Sequence, residues 1–278
     1  MKYKLIVTDM DGTLLSSNKT ISKRNKETIK CIMDKGYNVA IATGRMYDSA
    51  KYFAKVLDLN LPIIACNGGI VKNPITKEVL YKNFIEINKL KKVLDICDDM
   101  NIYYHCYDDE IFYSKEEKYS TKFNLDWNKD KDEDDKLNIL VDKNIKKILI
   151  EERKEILKIL IIDEDVSKLK ELRKKLENIS DIEISSSLKT NLEVMKKNVS
   201  KGNALELLCE KLNIKLNEVI ALGDNENDLS MLNIAGLSVG MGNADEYIKQ
   251  KVDFVTLNND EDGVAYALKE ILDEEGIC

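Results

Sequence analysis

The 278-residue sequence has little histidine, little proline and no apolar run of membrane-spanning length. Its single histidine, His105, excludes histidine-rich metal sites, and His105 falls in a segment that we predict to be an insertion, which also excludes histidine-centred hydrolysis. Neither G-x-x-x-x-G-K-[ST] nor G-x-G-x-x-G occurs, and no cysteine precedes arginine at the spacing of a thiol phosphatase loop. These absences leave chemistry that rests on carboxylates, hydroxyls, amides and backbone groups.

The cysteines and the charge balance indicate where the protein works and what it avoids. The six cysteines are scattered and form no C-x-x-C pair, and the chain enters a strand-like run at once after Met-Lys-Tyr-Lys, without the apolar core of a signal peptide. We therefore predict a reduced, cytoplasmic protein. A net charge of −7 and a pI near 5.1 argue against binding to nucleic acid or to an anionic membrane. An anionic substrate would need local positive charge or a metal.

The first part of the chain alternates strand and helix signals. Apolar runs predict strands at Lys4–Thr8, Tyr37–Ala42 and Leu61–Cys66, and apolar residues at helical spacing predict helices at Ser22–Lys35 and Met46–Leu57. This β-α-β-α-β order predicts a parallel, doubly wound sheet of the α/β class with right-handed crossovers.

From about residue 82 the pattern changes to α+β, with aromatic-rich strands and more antiparallel character, and the β/α alternation resumes near the C-terminal end. We predict an α/β core, with a Rossmann-like sheet, formed by residues 1–82 and 191–278. The predicted insertion, an α+β cap domain, spans residues 83–190. Within it, the acidic run Asp130–Asp135 is interpreted as a solvated loop.

Four apolar strands end in small or polar residues. The four strand ends are Asp9, Thr43-Gly44-Arg45, Asn67-Gly68-Gly69 and Gly223-Asp224. In open parallel sheets ligands bind just beyond the carboxyl ends of the strands, so these residues are expected to meet at one edge. A single polar strand end is ordinary turn chemistry, whereas four at one edge predict a ligand site.

The carboxylates near these strand ends indicate the kind of ligand. Asp9, Asp11, Asp224 and Asp228 offer hard oxygen ligands without histidine or cysteine partners, which suits Mg²⁺ rather than Zn²⁺. Positioning and charge neutralisation of this kind supply most of the catalysis in phosphoryl transfer.

With these residues assembled, the chain resembles the haloacid dehalogenase (HAD) superfamily, specifically its Cof-type phosphatases with a C2-type cap. The resemblance covers essentially the whole length, in the order of the family's motifs. The matching segments are Asp9-Met10-Asp11-Gly12-Thr13-Leu14, Thr43-Gly44-Arg45, Val199-Ser200-Lys201-Gly202-Asn203-Ala204-Leu205 and Gly223-Asp224-Asn225-Glu226-Asn227-Asp228, with Asn67-Gly68-Gly69 as a further family-like segment.

The resemblance implies a role for each of these residues. Asp9 would be the nucleophile that forms an aspartyl-phosphate, and Asp11 would protonate the leaving oxygen and then activate water. The implied Mg²⁺ ligands are Asp9, the backbone carbonyl of Asp11, Asp224 and Asp228. The implied phosphate-binding residues are Thr43, Gly44, Lys201 and Asn227.

Several of these residues also have a purely structural interpretation. Asp228 could stabilise the dipole of a helix first turn, and Lys201, one of 43 basic residues, could be surface charge. Arg45 could contact substrate or form a structural ion pair. Asn67 is interpreted as a turn or supporting residue, and Cys66 as a buried packing residue.

The sequence therefore predicts a Mg²⁺-dependent hydrolase that dephosphorylates a small metabolite through an aspartyl-phosphate. A sugar phosphate is the leading substrate class by resemblance, with FMN or pyridoxal phosphate as further candidates. A phosphomutase or phosphotransferase on the same fold is the alternative, and a non-enzymatic receiver-like module is a remote one. We expect a monomer or weak homo-oligomer, with no nucleic-acid or membrane partner.

Overall fold

A computed structural model describes residues 2–272 of the chain. The strands, in chain order, are β1 (Leu5–Thr8), β2 (Asn38–Ile41), β3 (Ile63–Ala65), β4 (Ile70–Lys72), β5 (Val79–Lys82), β6 (Tyr103–Tyr107), β7 (Ile111–Ser114), β8 (Asn138–Val141), β9 (Lys158–Ile162), β10 (Ile182–Ser185), β11 (Asn191–Lys196), β12 (Val219–Gly223), β13 (Leu237–Gly240) and β14 (Phe254–Val255).

The helices alternate with the strands in the first and last parts of the chain. In chain order they are α1 (Lys23–Asp34), α2 (Tyr47–Val56), α3 (Ile87–Asp99), α4 (Tyr119–Lys129), α5 (Ile145–Glu151), α6 (Val166–Leu176), α7 (Lys201–Leu212), α8 (Leu229–Leu232), α9 (Glu246–Lys249) and α10 (Gly263–Leu272). No helix in residues 2–272 is long and apolar enough to cross a bilayer.

The core sheet has the strand order β14-β13-β12-β1-β2, and all of its pairs are parallel. β1 is buried on both faces, because its side chains alternate between two apolar clusters on opposite sides of the sheet. Thr8 pairs with Leu222 on one side and Ile41 on the other. The residues that follow these three strands therefore share one edge of the sheet, as the strand-end argument predicts. The α/β fold class is confirmed.

The third predicted strand does not extend this sheet as expected. β3 touches it through one parallel bridge, Ala42 to Ile64, and pairs antiparallel with β4 in a separate three-stranded sheet with β5. The physical reason is the turn after β3: Cys66 and Asn67 both have positive φ, 50° and 56°, and return the chain directly into β4.

The second sheet lies in the predicted insertion and has the order β10-β11-β9-β6-β7-β8. Its pairs are antiparallel except β7 with β8. One face packs on α3, α5 and α6 around its own apolar cluster. Other residues of the insertion, among them Tyr107, Leu157 and Leu160, belong to the apolar cluster of the core. The inserted sheet is therefore packed on the core.

The interpretation of the acidic stretch as a solvated loop is partly wrong. Sequence patterns missed α4, β8 and α5 around it, because α4 fully buries only Thr121 and so lacks a clear apolar stripe. Most of Asp130–Asp135 is exposed, but Asp135 lies 3.0 Å from the Lys55 Nζ on α2. The end of the run is thus an ion-pair contact between insertion and core.

The predicted boundary after residue 190 falls just before β11. β11 pairs with β9 and β10, and so its hydrogen bonds are shared with strands of the insertion. We propose that this boundary lies after Lys196, between β11 and α7, and we keep the boundary after Lys82 as proposed from the sequence.

Candidate active site

A buried lysine joins two of the predicted aspartates. Asp9 directly follows β1, and Lys201 is the first residue of α7, whose N-cap is Ser200. The Lys201 Nζ lies 2.6 Å from the Asp9 Oδ1 and 2.5 Å from the Asp228 Oδ1. The Lys201 side chain is fully buried, so the interpretation as surface charge is wrong.

Asp9, Asp224 and Asp228 form a cluster whose nearest carboxylate oxygens lie within 4.8 Å of one another. Three carboxylates and the Lys201 ammonium leave a formal charge of −2 in a buried place. Burial raises the pKa of both Asp9 and Asp224, and the neighbouring carboxylates raise it further. The donor set and the charge therefore fit one hard divalent cation.

Asp228 combines the two interpretations that the sequence left open. Its Oδ2 accepts hydrogen bonds from the backbone N–H groups of Asp224 and Asn225, at 2.9 and 3.0 Å, which is the capping role. Its Oδ1 faces Lys201 and the cluster. Gly223 permits this approach, since a Cβ there would lie 2.6 Å from the Asp228 Cβ.

The loop after β1 is shaped around Asp224. Gly12 has a φ of 80°, and a Cβ there would lie 2.3 Å from the Asp224 Oδ2. Thr13 is fully buried, and its hydroxyl donates to the Asp224 Oδ1 at 3.1 Å. The glycine and threonine that follow Asp11 therefore let the two strand ends meet.

Asp11 is held by two cations. The Arg45 Nε and Nη2 donate to the two carboxylate oxygens of Asp11 at 2.6 and 2.8 Å, and the Lys19 Nζ lies 2.7 Å from Oδ1. Burial opposes ionisation of Asp11, but the hydrogen bonds and charges of Arg45 and Lys19 prevail and hold its pKa well below its usual range. Of the two roles that the sequence left open for Arg45, substrate contact or an ion pair, the structure shows the ion pair. Asp11 would have to leave these cations before it could donate a proton.

The predicted phosphate-binding residues Thr43, Gly44 and Asn227 line the same cavity as Asp9. The Thr43 hydroxyl accepts a hydrogen bond from the Arg45 backbone N–H at 3.1 Å. The Asn227 Nδ2 donates to the Asn67 Oδ1 at 3.2 Å, so Asn67 supports Asn227. Lys201 is fully buried and contacts Asp9, which lines the cavity.

Cys66 behaves as predicted for a packing residue. It is fully buried, and burial raises the pKa of its thiol to about 12, so it is a thiol at neutral pH.

The cavity above Asp9 has a volume of about 860 Å³ and is lined by both parts of the molecule. Sequence reasoning missed Lys158, Glu193 and Lys19, which also line it. Lys158 begins the otherwise apolar strand β9, and Glu193 lies between Leu192 and Val194 in β11; a charge beside buried apolar residues is the signal that could have identified both.

Comparisons with known proteins agree with this geometry. Residues 6–268 match the family described as haloacid dehalogenase-like hydrolase. The chain is 32% identical over 283 residues to the 5-amino-6-(5-phospho-D-ribitylamino)uracil phosphatase YwtE of Bacillus subtilis, covering 97% of this chain and 98% of that protein. It is 33% identical over 273 residues to YcsE of the same organism, which is also named a 5-amino-6-(5-phospho-D-ribitylamino)uracil phosphatase. That match covers 96% of this chain and 94% of YcsE.

Solved structures agree as well. A haloacid dehalogenase-like hydrolase from Bacteroides thetaiotaomicron superposes with a TM-score of 0.82 at 32% identity, over 97% of this chain and 100% of that one. A haloacid dehalogenase-like hydrolase from B. subtilis superposes with a TM-score of 0.86 at 29% identity, again over 97% of this chain and 100% of that one. The motifs, the fold and these likenesses lead to one conclusion: the chain belongs to the haloacid dehalogenase-like hydrolases, in their Cof-type branch.

Proposed function

We propose that this protein is a Mg²⁺-dependent phosphatase that releases inorganic phosphate from a small phosphorylated metabolite. The observation that carries the proposal is the convergence of Asp9, Asp224 and Asp228 around the buried Lys201 at the carboxyl edge of the core sheet. Such a cluster can hold a hard divalent cation, whose charge would neutralise a phosphate monoester, and it places a nucleophilic carboxylate beside that cation.

In the proposed first step an Asp9 carboxylate oxygen bonds to the phosphorus, and the bond from phosphorus to the leaving oxygen breaks. Asp11 gives its proton to that oxygen. In the second step water attacks the phosphorus, Asp11 takes the proton, and the bond between Asp9 and phosphorus breaks. Arg45 and Lys19 lower the pKa of Asp11 and so favour the ionised form that the second step needs, whereas the first step requires Asp11 to leave Arg45 and be protonated.

The residues proposed to hold Mg²⁺ are Asp9, the backbone carbonyl of Asp11, Asp224 and Asp228. When bound, the cation supplies charge neutralisation for the phosphoryl oxygens. The residues proposed to bind those oxygens are Thr43, the Gly44 amide, Lys201 and Asn227.

The cavity of about 860 Å³ is large enough for a phosphorylated sugar or a phosphorylated cofactor. We propose a sugar phosphate as the leading class, with FMN and pyridoxal phosphate as further candidates. Two relatives above 30% identity carry the name of a phosphoribitylaminouracil phosphatase, so that ester belongs among the candidates. From the scattered cysteines we further propose that the protein is cytoplasmic, and we propose that it is a monomer or weak homo-oligomer.

The test is a phosphate-release screen over these esters, with Mg²⁺ or with EDTA. Wild type is expected to release phosphate from at least one ester with Mg²⁺ only, and Asp9→Asn from none. The matched control Asp34→Asn, at an exposed position on α1, should behave as wild type. Full activity in Asp9→Asn would rule out the mechanism, and an isomerised sugar phosphate without free phosphate would favour a mutase.

A further inference from the structure

Two buried charges of the inserted sheet meet loops of the core. The Nζ of Lys158, in β9, lies 2.6 Å from the Oε1 of Glu193, in β11, and their side chains are only 2% and 3% exposed. The proposed chemistry uses neither residue. Burying an ion pair costs desolvation free energy that its own attraction often fails to recover, and apolar replacements are often no worse. The contacts that Lys158 and Glu193 make with other residues therefore need an explanation.

Lys158 holds the peptide that joins Gly44 to Arg45. Its Nζ donates to the Gly44 carbonyl oxygen at 2.7 Å, and the N–H of the same peptide donates to the Thr43 hydroxyl at 3.1 Å. A Cβ on residue 44 would lie 2.9 Å from the Lys158 Nζ, so glycine is what allows the lysine to reach this loop. The peptide is fixed from both sides, once by the insertion and once by the core.

Glu193 holds the other side of the phosphate site. Its Oε2 accepts a hydrogen bond from the Asn67 Nδ2 at 2.6 Å, and the Asn67 Oδ1 accepts one from the Asn227 Nδ2 at 3.2 Å. Asn67 is 1% exposed, with a φ of 56°. Burial alone would raise the pKa of Glu193, but Lys158 and its hydrogen-bond donors hold that pKa below its usual range. The carboxylate thus orients Asn67, and Asn67 orients Asn227.

We propose that Lys158 and Glu193 are a positioning pair through which the inserted sheet fixes two loops of the phosphate site, the Gly44 loop directly and the Asn227 loop through Asn67. The two loops adopt their binding geometry only with this pair in place. What the loops bind rests on the proposed phosphatase function, whereas the positioning itself is a property of the fold.

The decisive variant is Lys158→Met combined with Glu193→Leu. Both charges are removed together, so no unpaired charge stays buried and the thermal midpoint is expected to remain close to that of wild type. The Gly44 carbonyl and the Asn67 amide still lose their partners. We expect kcat for p-nitrophenyl phosphate with Mg²⁺ to fall about 100-fold, the cost of a small misplacement, while KM changes much less.

A second measurement, backbone hydrogen exchange, reports on the two loops and does not depend on enzyme activity. The backbone N–H groups of Thr43, Arg45 and Asn67 are hydrogen-bonded in the structure. Their hydrogen exchange is expected to speed up in the double variant, while amides between β6 and β9 keep their protection. The matched control is Lys168→Met with Asp163→Leu. The Lys168 Nζ lies 2.8 Å from the Asp163 Oδ2 and donates to the Asn101 carbonyl oxygen, so all of these contacts stay within the insertion. This control should leave both readouts unchanged.

A single substitution guards against a double variant that fails to fold. Asn67→Gly suits the left-handed backbone at this position and removes the amide between Glu193 and Asn227, which leaves the longer direct contact of 3.5 Å from the Asn227 Nδ2 to the Glu193 Oε2. We expect kcat to fall again while the fold persists.

The outcomes separate the two proposals. Wild-type kcat in a folded double variant, or a lowered kcat with unchanged exchange at Thr43, Arg45 and Asn67, would overturn the positioning pair. Faster loop exchange in a protein whose wild type releases phosphate from no ester would overturn the proposed function and leave the positioning pair standing.

Discussion

The core sheet and the inserted sheet contribute to one cavity in different ways. The core supplies the ends of its strands: Asp9 after β1, Thr43 after β2 and Asp224 after β12. The insertion supplies side chains from the face of its sheet, such as Lys158 and Glu193. The core residues form short contiguous motifs, whereas Lys158 and Glu193 stand alone in the sequence.

The difference assigns the reactive groups to the core and the contacts that bind or position to the insertion. The strand ends of a parallel sheet are brought together by topology, so a reactive cluster there is independent of what covers it. The insertion touches the core through Lys158 of its sheet and through Trp127 of α4, which packs edge-on against Tyr52 of α2 at 5.0 Å between ring centroids. We therefore expect changes in the core to act on the chemical step and changes in the contacts of the insertion to act on binding or positioning.

The largest effect is expected in the core, from Lys201→Met. The variant removes the ammonium that separates Asp9 from Asp228, and kcat should fall about 1000-fold because a charged donor in a buried site is lost. Lys211→Met, at an exposed position in the last turn of the same helix, is the control and should keep wild-type kcat. Equal kcat values in the two variants would contradict the assignment of the site to the core edge.

The second effect concerns the stability of the core without metal. The pKa of Asp224 is raised to about 9, so folded Asp224 retains a proton that the unfolded chain releases above about pH 4. In EDTA the free energy of unfolding should therefore fall as the pH rises towards 9, by at least about 1.4 kcal/mol, the value of one pKa unit.

Urea unfolding in EDTA at several pH values measures this slope. Asp224→Asn should flatten the slope, and saturating Mg²⁺ should stabilise wild type at high pH but stabilise the variant less. Identical slopes in wild type and variant would show that Asp224 is not the group that retains the extra proton in the folded protein.

The third effect tests the insertion, through Trp127→Ala. Trp127 packs on Tyr52 and Phe53 of the core, and each aromatic contact contributes about 1 kcal/mol beyond its buried area. We expect KM to rise about tenfold with kcat nearly unchanged, since the insertion is held less firmly over the cavity. A fall in kcat without a change in KM would show that Trp127, like Lys158 and Glu193, positions the loops of the phosphate site and does not hold the insertion over the cavity.

The smallest effect is expected at the ion pair between Lys55 and Asp135, which also joins the two regions. The Lys55 side chain is 65% exposed, and exposed pairs contribute little. Lys55→Ala should change KM less than about twofold, as measured with the ester used for Trp127→Ala. A change as large as that of the Trp127 variant would show that charge rather than aromatic packing holds the insertion.

The contrast between the regions also explains how far the sequence predicts the structure. Apolar runs before Asp9 and Asp224 predict both the strands and their common edge, because burial on two faces leaves a continuous local signal. The return of β3 into a separate sheet depends on the turn at Cys66 and Asn67, which propensity does not show. The bidentate contact of Arg45 with Asp11 joins residues 34 positions apart and becomes visible only in three dimensions.

In the insertion the sequence predicts the texture but not the contacts. α4 packs through Trp127 onto another part of the chain, so its amphipathic pattern is weak and the helix is missed. Lys158 and Glu193 pair across two strands that are separated by α6 and β10, and no local pattern links them. Both failures arise where tertiary contacts rather than local periodicity decide the structure.

The most direct test of the central claim is to trap the phosphorylated enzyme. The Asp11→Asn variant is mixed with Mg²⁺ and an ester that the wild type hydrolyses. The substitution should slow the second step, so the phosphorylated enzyme accumulates. After rapid quenching and borohydride reduction, mass spectrometry should find the modification on Asp9. The account predicts modification at Asp9 alone and none in the variant that also carries Asp9→Asn. A modification at another residue, or ester hydrolysis without any trapped adduct on Asp9, would contradict it.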